Sequence, residues 1–380
     1  MTNGKIEGIL EVLGSGAAFV RRREWSYLPA DGDPYVNPRL VQRFGLRTGD
    51  EVEGEVAAQA TRGKSPPLTS LHAVNGRAPE ELGVRPDFTR LSAQHPYERL
   101  RLECDLVRRG QRDYTNRVID LFCPFGKGQR ALIVAPAKAG KTTVLQSVAE
   151  GITRNHPECE LLILLVDERP EEVTEMEACG FGEVIASSFD RPPSQHVALA
   201  ELTLERARRR VELGQDVVII LDSITRLARA YNTVEAGSGR TLTGGLDASA
   251  MEKPKRFLGS ARKVSESQGG GSLTIIATSL VDTGSKMDQV IFEEFKGTGN
   301  SELMLSRELA DRRIFPAIDL VASATRREEL LLSESELEAS RILRRSLAGS
   351  NPADAMSQLL AIMKQTETNA ELVDRILARK

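Results

Sequence analysis

The chain has 380 residues, of which 40% are hydrophobic and 28% charged, and its formal net charge is −3. This is a globular composition with room for two or three domains, and a charge so near zero excludes nucleic-acid binding by bulk attraction, leaving only a local surface. No stretch approaches 18 apolar residues and the start Met1-Thr2-Asn3-Gly4 leads into no signal-type apolar core, so neither a membrane span nor a secretion signal is expected.

Residues 4–77 read as short strands with frequent turns. Ile6, Ile9, Leu10, Val12 and Leu13 lead into Gly14-Ser15-Gly16, and Ala17 to Arg21 follow. Asn37-Pro38 has the form of a cap and first turn for a short helix through Arg43. Thr48-Gly49-Asp50 turns into the alternating stretch from Glu51 to Ala57. The pattern predicts a small five-strand barrel of the oligonucleotide-binding (OB) kind. Whether it holds a ligand or is purely structural, as in rotary ATPases, the pattern leaves open. Residues 78–115 carry Pro79, Pro86 and Pro96 among charges with no clear period, which predicts an extended connector on the surface.

Residues 116–330 alternate strand and helix, the mark of an α/β fold with a mostly parallel sheet covered on both faces. The apolar run Ala131 to Val134 ends in Ala135-Pro136-Ala137-Lys138-Ala139-Gly140-Lys141-Thr142, and a helix reads on from Thr143 to Glu150. That is a phosphate-binding loop on the end of a buried strand. Loop amides and the helix N-terminus would surround nucleotide phosphates, Lys141 would reach the β- and γ-phosphates, and the Thr142 hydroxyl would bind Mg²⁺. Ala135 stands where a glycine usually opens the loop, so the turn must be one that alanine can adopt. Two further apolar runs, Leu161–Val166 and Val217–Leu221, end in Asp167-Glu168-Arg169 and Asp222-Ser223. Their carboxylates would reach the phosphate loop, one to hold the metal and one to polarise a water. A helix is expected over 194–213, with Arg206, Arg208, Arg209 and Arg210 as a solvated face or, less simply, an RNA groove. Leu273–Thr278 is another buried strand. Residues 331–380 are helical, with a capping box at Ser333 and Glu336 and a further start at Asn351-Pro352.

Cys104, Cys123, Cys159 and Cys179 form no C-x-x-C pair, and no histidine is read at ligand spacing beside them. Neither a zinc site nor a disulfide framework is expected, and reduced cysteines suit the cytoplasm.

Several long strings resemble the Rho transcription termination factors. They are Asp167 to Met176 (DERPEEVTEM), Leu221 to Asn232 (LDSITRLARAYN), Leu242 to Gly245 (LTGG), Thr283 to Asp288 (TGSKMD) and Glu293 to Asn300 (EEFKGTGN). The resemblance covers roughly residues 4–345. It implies a RecA-like P-loop ATPase core behind an OB-type barrel, built into a homohexameric ring that hydrolyses Mg-ATP. Such a ring is an RNA helicase that translocates on single-stranded nascent RNA and ends transcription in the cytoplasm. RNA polymerase and elongation factors are then further partners, and no membrane is. By resemblance Glu168 is the catalytic carboxylate, Lys141 and Asp222 serve nucleotide and metal, and Arg326 is the finger given by the neighbouring subunit. Ala135, Ala137, Lys138, Ala139, Gly140, Thr142, Thr143 and Arg169 belong to the nucleotide site. Arg313 lies near the subunit interface and Phe315 would pack on adenine. RNA would be met by Phe19, Arg21 and Tyr35 on the barrel, and by Gly244, Gly245 and Lys286 on two loops in the ring's hole.

The chain also departs from that family. It starts almost at the first barrel strand, where most members place a small helical subdomain first. Gly16-Ala17-Ala18-Phe19 replaces Gly-Phe-Gly-Phe, so one stacking aromatic is missing; the Gly63–Pro67 segment lacks another; and Ala137 replaces a proline. Weaker primary RNA binding is the expected result, since base-on-aromatic stacking is worth about 1–3 kcal/mol per base.

Overall fold

In the computed structural model, which describes residues 4–57, 65–108, 110–235, 244–247 and 249–378, the N-terminal alternation becomes five antiparallel strands. These are β1 (Gly4–Val12), β2 (Ala18–Arg21), β3 (Tyr35–Val36), β4 (Glu51–Val56) and β5 (Leu68–Val74), with α1 (Pro38–Phe44) between β3 and β4. The order is β3-β2-β1-β4-β5, and a parallel bridge from Tyr35 to Pro67 links the two outer strands into a barrel. Leu10, Ala18, Val20, Val36, Val52 and Val74 fill it. As expected, Asn37 caps α1, its side chain accepting from the Arg39 amide at 2.9 Å. Gly63 and Lys64 lie outside the described residues.

The stretch 78–115 runs largely over the surface, but it is pinned to the core by short strands and buried apolar side chains. Its strands are β6 (Ala93–Gln94), β7 (Arg99–Leu100), β8 (Leu106–Arg108) and β9 (Gln111–Asp113). Phe88, Leu91, Leu100, Leu102 and Leu106 are buried. β6 pairs with Lys263–Val264 and β7 with Phe125–Gly126, while β8 and β9 form a hairpin. Each piece is too short for a periodicity to register, and every pairing partner except the hairpin's is distant in sequence.

The core follows as α2 (Thr115–Phe122), β10 (Phe125–Gly126), β11 (Arg130–Pro136), α3 (Lys141–Asn155), β12 (Glu160–Glu168), α4 (Pro170–Cys179) and β13 (Glu183–Ser188). Next come α5 (Pro193–Val211), β14 (Asp216–Asp222), α6 (Ile224–Val234), α7 (Glu252–Gly259), β15 (Arg262–Val264) and β16 (Ser272–Val281). It closes with α8 (Lys286–Lys296), β17 (Ser301–Met304), α9 (Arg307–Asp311) and β18 (Ala324–Thr325). The main sheet runs β13-β12-β14-β16-β11-β17-β18. Its first six strands are parallel and β18 is antiparallel. Continuous apolar runs were needed because both faces are covered. Leu161, Ile163 and Leu165 face one layer, and Leu162, Leu164 and Val166 the other. β11 and β12 are consecutive in sequence yet separated by β14 and β16. Such a crossover leaves a crevice at the carboxyl ends of the strands.

The arginines near the end of α5 are neither a solvated face nor a groove. Arg206 and Arg209 are buried. Arg206 pairs with Glu183 at 2.8 Å and Glu160 at 3.0 Å, and Arg210 pairs with Glu51 of the barrel. Arg47 of the barrel reaches Glu212 at 2.6 Å. The Arg210–Glu51 and Arg47–Glu212 pairs cross between the two, so this cluster ties the barrel to the core. Sequence periodicity could not reveal it, because Glu51, Glu160 and Glu183 arrive from three separate strands.

The C-terminal helices are α10 (Glu334–Leu347), with the Ser333/Glu336 capping box, α11 (Pro352–Met363), capped by Asn351, and α12 (Asn369–Leu377). They share a core layer with α2 and α3 through Leu343, Met356, Leu359 and Leu372. Among the described residues no helix is long and apolar enough to cross a membrane.

Candidate functional site

The end of β11 explains the variant loop. Ala135 lies inside the strand, opposite Leu280, in extended backbone that any residue adopts. The left-handed positions fall later, at Lys138 (φ 64°) and Gly140 (φ 85°). Gly140 also lies under the Phe315 ring, where a Cβ would stand 3.8 Å from it. The Ala139 amide donates to the Pro136 carbonyl at 3.3 Å and closes the turn. Ala137 and Lys138 are exposed at its tip, so the missing proline leaves no gap in the core. α3 begins at Lys141 and has no side-chain cap. Its first amides are therefore available to an anion. Thr142 is half-buried and Thr143 exposed beside them.

Two strands bring carboxylates to this point. β12 shifts register between Val166 and Glu168, with Asp167 left-handed (φ 57°). The bulge turns Glu168 inward, where it is only 1% exposed. Lys141 Nζ lies 3.0 Å from Glu168 Oε1 and 2.6 Å from the Asp222 carboxylate at the end of β14. Thr278 donates to Asp222 at 2.6 Å. Burial and the neighbouring Asp222 push the Glu168 carboxyl up to about 7, against the pull of Lys141 and Arg226. Burial alone would depress the Lys141 ammonium, but Asp222 and Glu168 outweigh it and hold its pKa above the ordinary value. Glu168 Oε2 is buried with no hydrogen-bond partner. An unsatisfied buried oxygen is costly, and it suits an acceptor that takes its partner from a reacting molecule.

Arg226, to which the sequence pattern assigns no role, sits 3.3 Å from Glu168 Oε1 and 3.2 Å from the Asp167 carboxylate. One turn further along α6, Arg229 Nε lies 2.7 Å from Asp288. The signal available in sequence was the spacing of Arg226 and Arg229 on one helix face after Asp222.

A cavity of about 1010 Å³ opens beside the phosphate loop, lined by Arg108, Tyr114, Lys138, Gln146, Arg313 and Phe315 among others. Its size suits a nucleotide. Phe315 is half-exposed over Gly140, as stacking on a base requires. Arg108 and Tyr114 come from the 78–115 stretch and were missed for the reason given above. Arg169 is exposed at the start of α4, outside the cavity lining. The donor set fits Mg-ATP: free helix amides, Lys138 and Lys141 for phosphate, and the Thr142 hydroxyl with Asp222 for the metal and its water.

Arg326 is placed elsewhere. Its amide donates to the Asn300 carbonyl, and the Asn300 amide to the Arg130 carbonyl, both at 2.9 Å. It therefore stands exposed at the start of β11, whereas the phosphate loop lies beyond the far end, about 20 Å away for a strand of this length.

On the barrel, Phe19 and Tyr35 are register partners with ring centroids 5.8 Å apart, edge to face. Arg21 lies 5.2 Å over Phe19, is 6% exposed and is engaged by Glu11 and by Asp33 at 2.8 Å. With its charge so matched, Arg21 supports the ring rather than offering a free cation. The two loops assigned to the ring's hole meet each other. A Cβ on Gly244 (φ 83°) would come 2.7 Å from the Met287 amide, beside exposed Lys286. Ser285 caps α8 and Asp288 accepts from Thr283 at 2.6 Å, fixing the second loop. Thr243 and Ala248 lie outside the described residues.

Residues 115–325 match the model of the ATP synthase alpha/beta family, nucleotide-binding domain, and residues 6–80 that of the Rho termination factor, RNA-binding domain. The chain is 51% identical to the transcription termination factor Rho of Cereibacter sphaeroides over 97% of its own length and 86% of the relative's. It is 53% identical to that of Pseudomonas aeruginosa, over 97% and 87%. With that of Gemmatimonas aurantiaca it shares 56% over 94% of this chain but 48% of the longer relative. Among solved structures, a prototypical ATPase from the type III secretion system of pathogenic bacteria superposes with TM-score 0.60 at 21% identity, over 84% of this chain and 93% of that one. The assembled type III secretion ATPase EscN of enteropathogenic E. coli does so with TM-score 0.60 at 18% identity, over 100% and 98%. At these identities the two structures share the fold.

Proposed function

Because the chain belongs to the Rho transcription termination factor family, as its 51–53% identity to nearly full-length relatives shows, we propose that it is an RNA-driven hexameric motor. It binds nascent single-stranded RNA, hydrolyses ATP between subunits, and translocates as a helicase to end transcription in the cytoplasm. RNA polymerase and elongation factors are the partners this task brings near.

In this reading the α3 amides, Lys138 and Lys141 hold the phosphates, while Phe315 stacks on the base within reach of Arg313. Mg²⁺ would be held at the Thr142 hydroxyl and, through water, by Asp222, where it neutralises charge on the phosphate oxygens. Phosphate binding draws Lys141 from Glu168 and Asp222. Glu168, poised near neutrality, then takes a proton from the attacking water. The observation that carries the proposal is the double attachment of α6. Arg226 touches the catalytic carboxylate and Arg229 holds Asp288 in the first turn of α8, two residues after Lys286. A change at the nucleotide is thereby passed to the cation that grips RNA phosphate without reading its sequence.

The test is ATP turnover with and without pyrimidine-rich RNA. A low basal rate should rise several-fold with RNA at low salt, and fall again as salt screens the phosphate contacts. Equal rates in a verified hexamer would instead favour an export-type ATPase, whose overall fold this chain shares.

Primary RNA binding should be weaker and less cytosine-selective than is usual for the family, because Ala17 stands two residues before Phe19 where a second aromatic is expected. In titrations of short oligo-C and oligo-U, Ala17→Phe should tighten binding by about 1–3 kcal/mol. Unchanged affinity would place primary binding on another surface.

A further inference from the structure

At the turn from α3 into β12, on the edge of the sheet opposite the phosphate loop, three ligand types converge. His156 Nδ1 lies 3.2 Å from Glu158 Oε1, and Cys159 Sγ 3.9 Å from the same oxygen. All three ligand atoms fall within 4.8 Å of one another. In a tetrahedral zinc centre, bonds of about 2.0–2.3 Å put ligand atoms roughly 3.3–3.8 Å apart, close to what is found here. The turn is preset: the Cys159 amide donates to the His156 carbonyl at 3.0 Å.

An independent observation concerns the imidazole. Its Nε2 lies 3.2 Å from the Arg101 carbonyl, which can only accept, so Nε2 carries the proton. Nδ1 then faces the Glu158 oxygen, on the side of the ring away from that anchor, where a metal ion would sit. A histidine whose far nitrogen is anchored on a carbonyl is also the usual arrangement of a metal ligand.

We propose that His156 Nδ1, Glu158 and Cys159 Sγ form a site for a thiophilic divalent cation of the zinc class, with water in the remaining position. Binding exchanges the Cys159 thiol proton, released to solvent, for a metal–sulfur bond, with no change of oxidation state. Lys127 stands 2.9 Å from Glu158 Oε1, but its charge is matched by Asp216 at 2.6 Å and Glu98 at 3.7 Å. The carboxylate has lone pairs enough for both the ammonium and a metal. The sequence reading expected no zinc site. Neither a C-x-x-C pair nor a histidine at ligand spacing is legible there, since His156 and Cys159 are brought together only by the turn. The cation would pin the C-terminal end of the helix whose first turn forms the nucleotide site.

The test uses the full chain, stripped of metal and free of nucleotide, titrated with Cd²⁺. A thiolate-to-cadmium absorption band should appear with one metal per chain, and Zn²⁺ should bleach it. The band should vanish in Cys159→Ser, weaken at least about tenfold in affinity in His156→Ala, and persist in Cys104→Ser and Cys179→Ser. The phosphate-site metal has no sulfur ligand and gives no such band. As a check that needs no variant, Cd²⁺ should protect Cys159 in the wild-type chain from alkylation, read by peptide mass. Absence of the band, its survival in Cys159→Ser, or alkylation of Cys159 at an unchanged rate would each overturn the site.

Discussion

Arg326→Ala is expected to leave ATP affinity within about threefold while lowering RNA-stimulated turnover by roughly 10³–10⁵, the worth of an arginine finger that meets the charge spreading over the transferred phosphoryl group. The geometry makes a same-chain role implausible on distance alone. Arg326 is tied through Asn300 to the start of β11, and its own phosphate loop lies beyond the other end of that strand. Beside it stands Arg130, whose guanidinium is depressed by burial and by the charge of Arg326. Arg130 is itself held by the Thr298 and Ala261 carbonyls, so exposed Arg326 is the cation offered at this edge to an anion from outside the chain. The decisive measurement is subunit mixing. Glu168→Gln chains keep a finger and Arg326→Ala chains keep a catalytic carboxylate. Rings assembled from both contain some interfaces with both parts intact, so activity should partly return. No recovery in rings shown to exchange subunits would assign Arg326 to its own site, or to none.

Glu168→Gln should bind ATP and RNA normally and turn over about 10²–10⁴ times more slowly, the usual contribution of a positioned general base. The amide keeps the shape, and Lys141 keeps Asp222 as partner. What is lost is the acceptor held near neutrality by burial and Asp222. Asp167→Asn is the control. Asp167 sits in the bulge and engages Arg226, so its loss should disturb the position of Arg226 without removing the base. Single-turnover hydrolysis separates the two. Near-normal rates in Glu168→Gln alongside a dead Asp167→Asn would mean that the wrong acid has been named.

Much of this was legible from residues alone because the physics involved is local. A strand buried on both faces must be continuously apolar, so 131–134, 161–166 and 217–221 declared themselves, and each ended at a residue of the site. Capping at Asn37, Ser333 and Asn351 is likewise a matter of three or four neighbouring residues. The motif strings point to the family, and with it to the role proposed for Arg326, which no local pattern supplies. Tertiary structure decided whatever depends on partners far along the chain. Ala135 is tolerated because the left-handed positions fall at Lys138 and Gly140. The 78–115 stretch is anchored to the core because its short strands pair with residues near 125 and 263. The arginines of α5 are a clasp because Glu51, Glu160 and Glu183 converge on them. Arg226 and Arg229 gain meaning only when Glu168 and Asp288 are seen at either end of one helix face. Sequence carries the chemistry of each group, but the electrostatics of a site depends on which charges the fold places within a few ångströms, and that is a property of the packed chain.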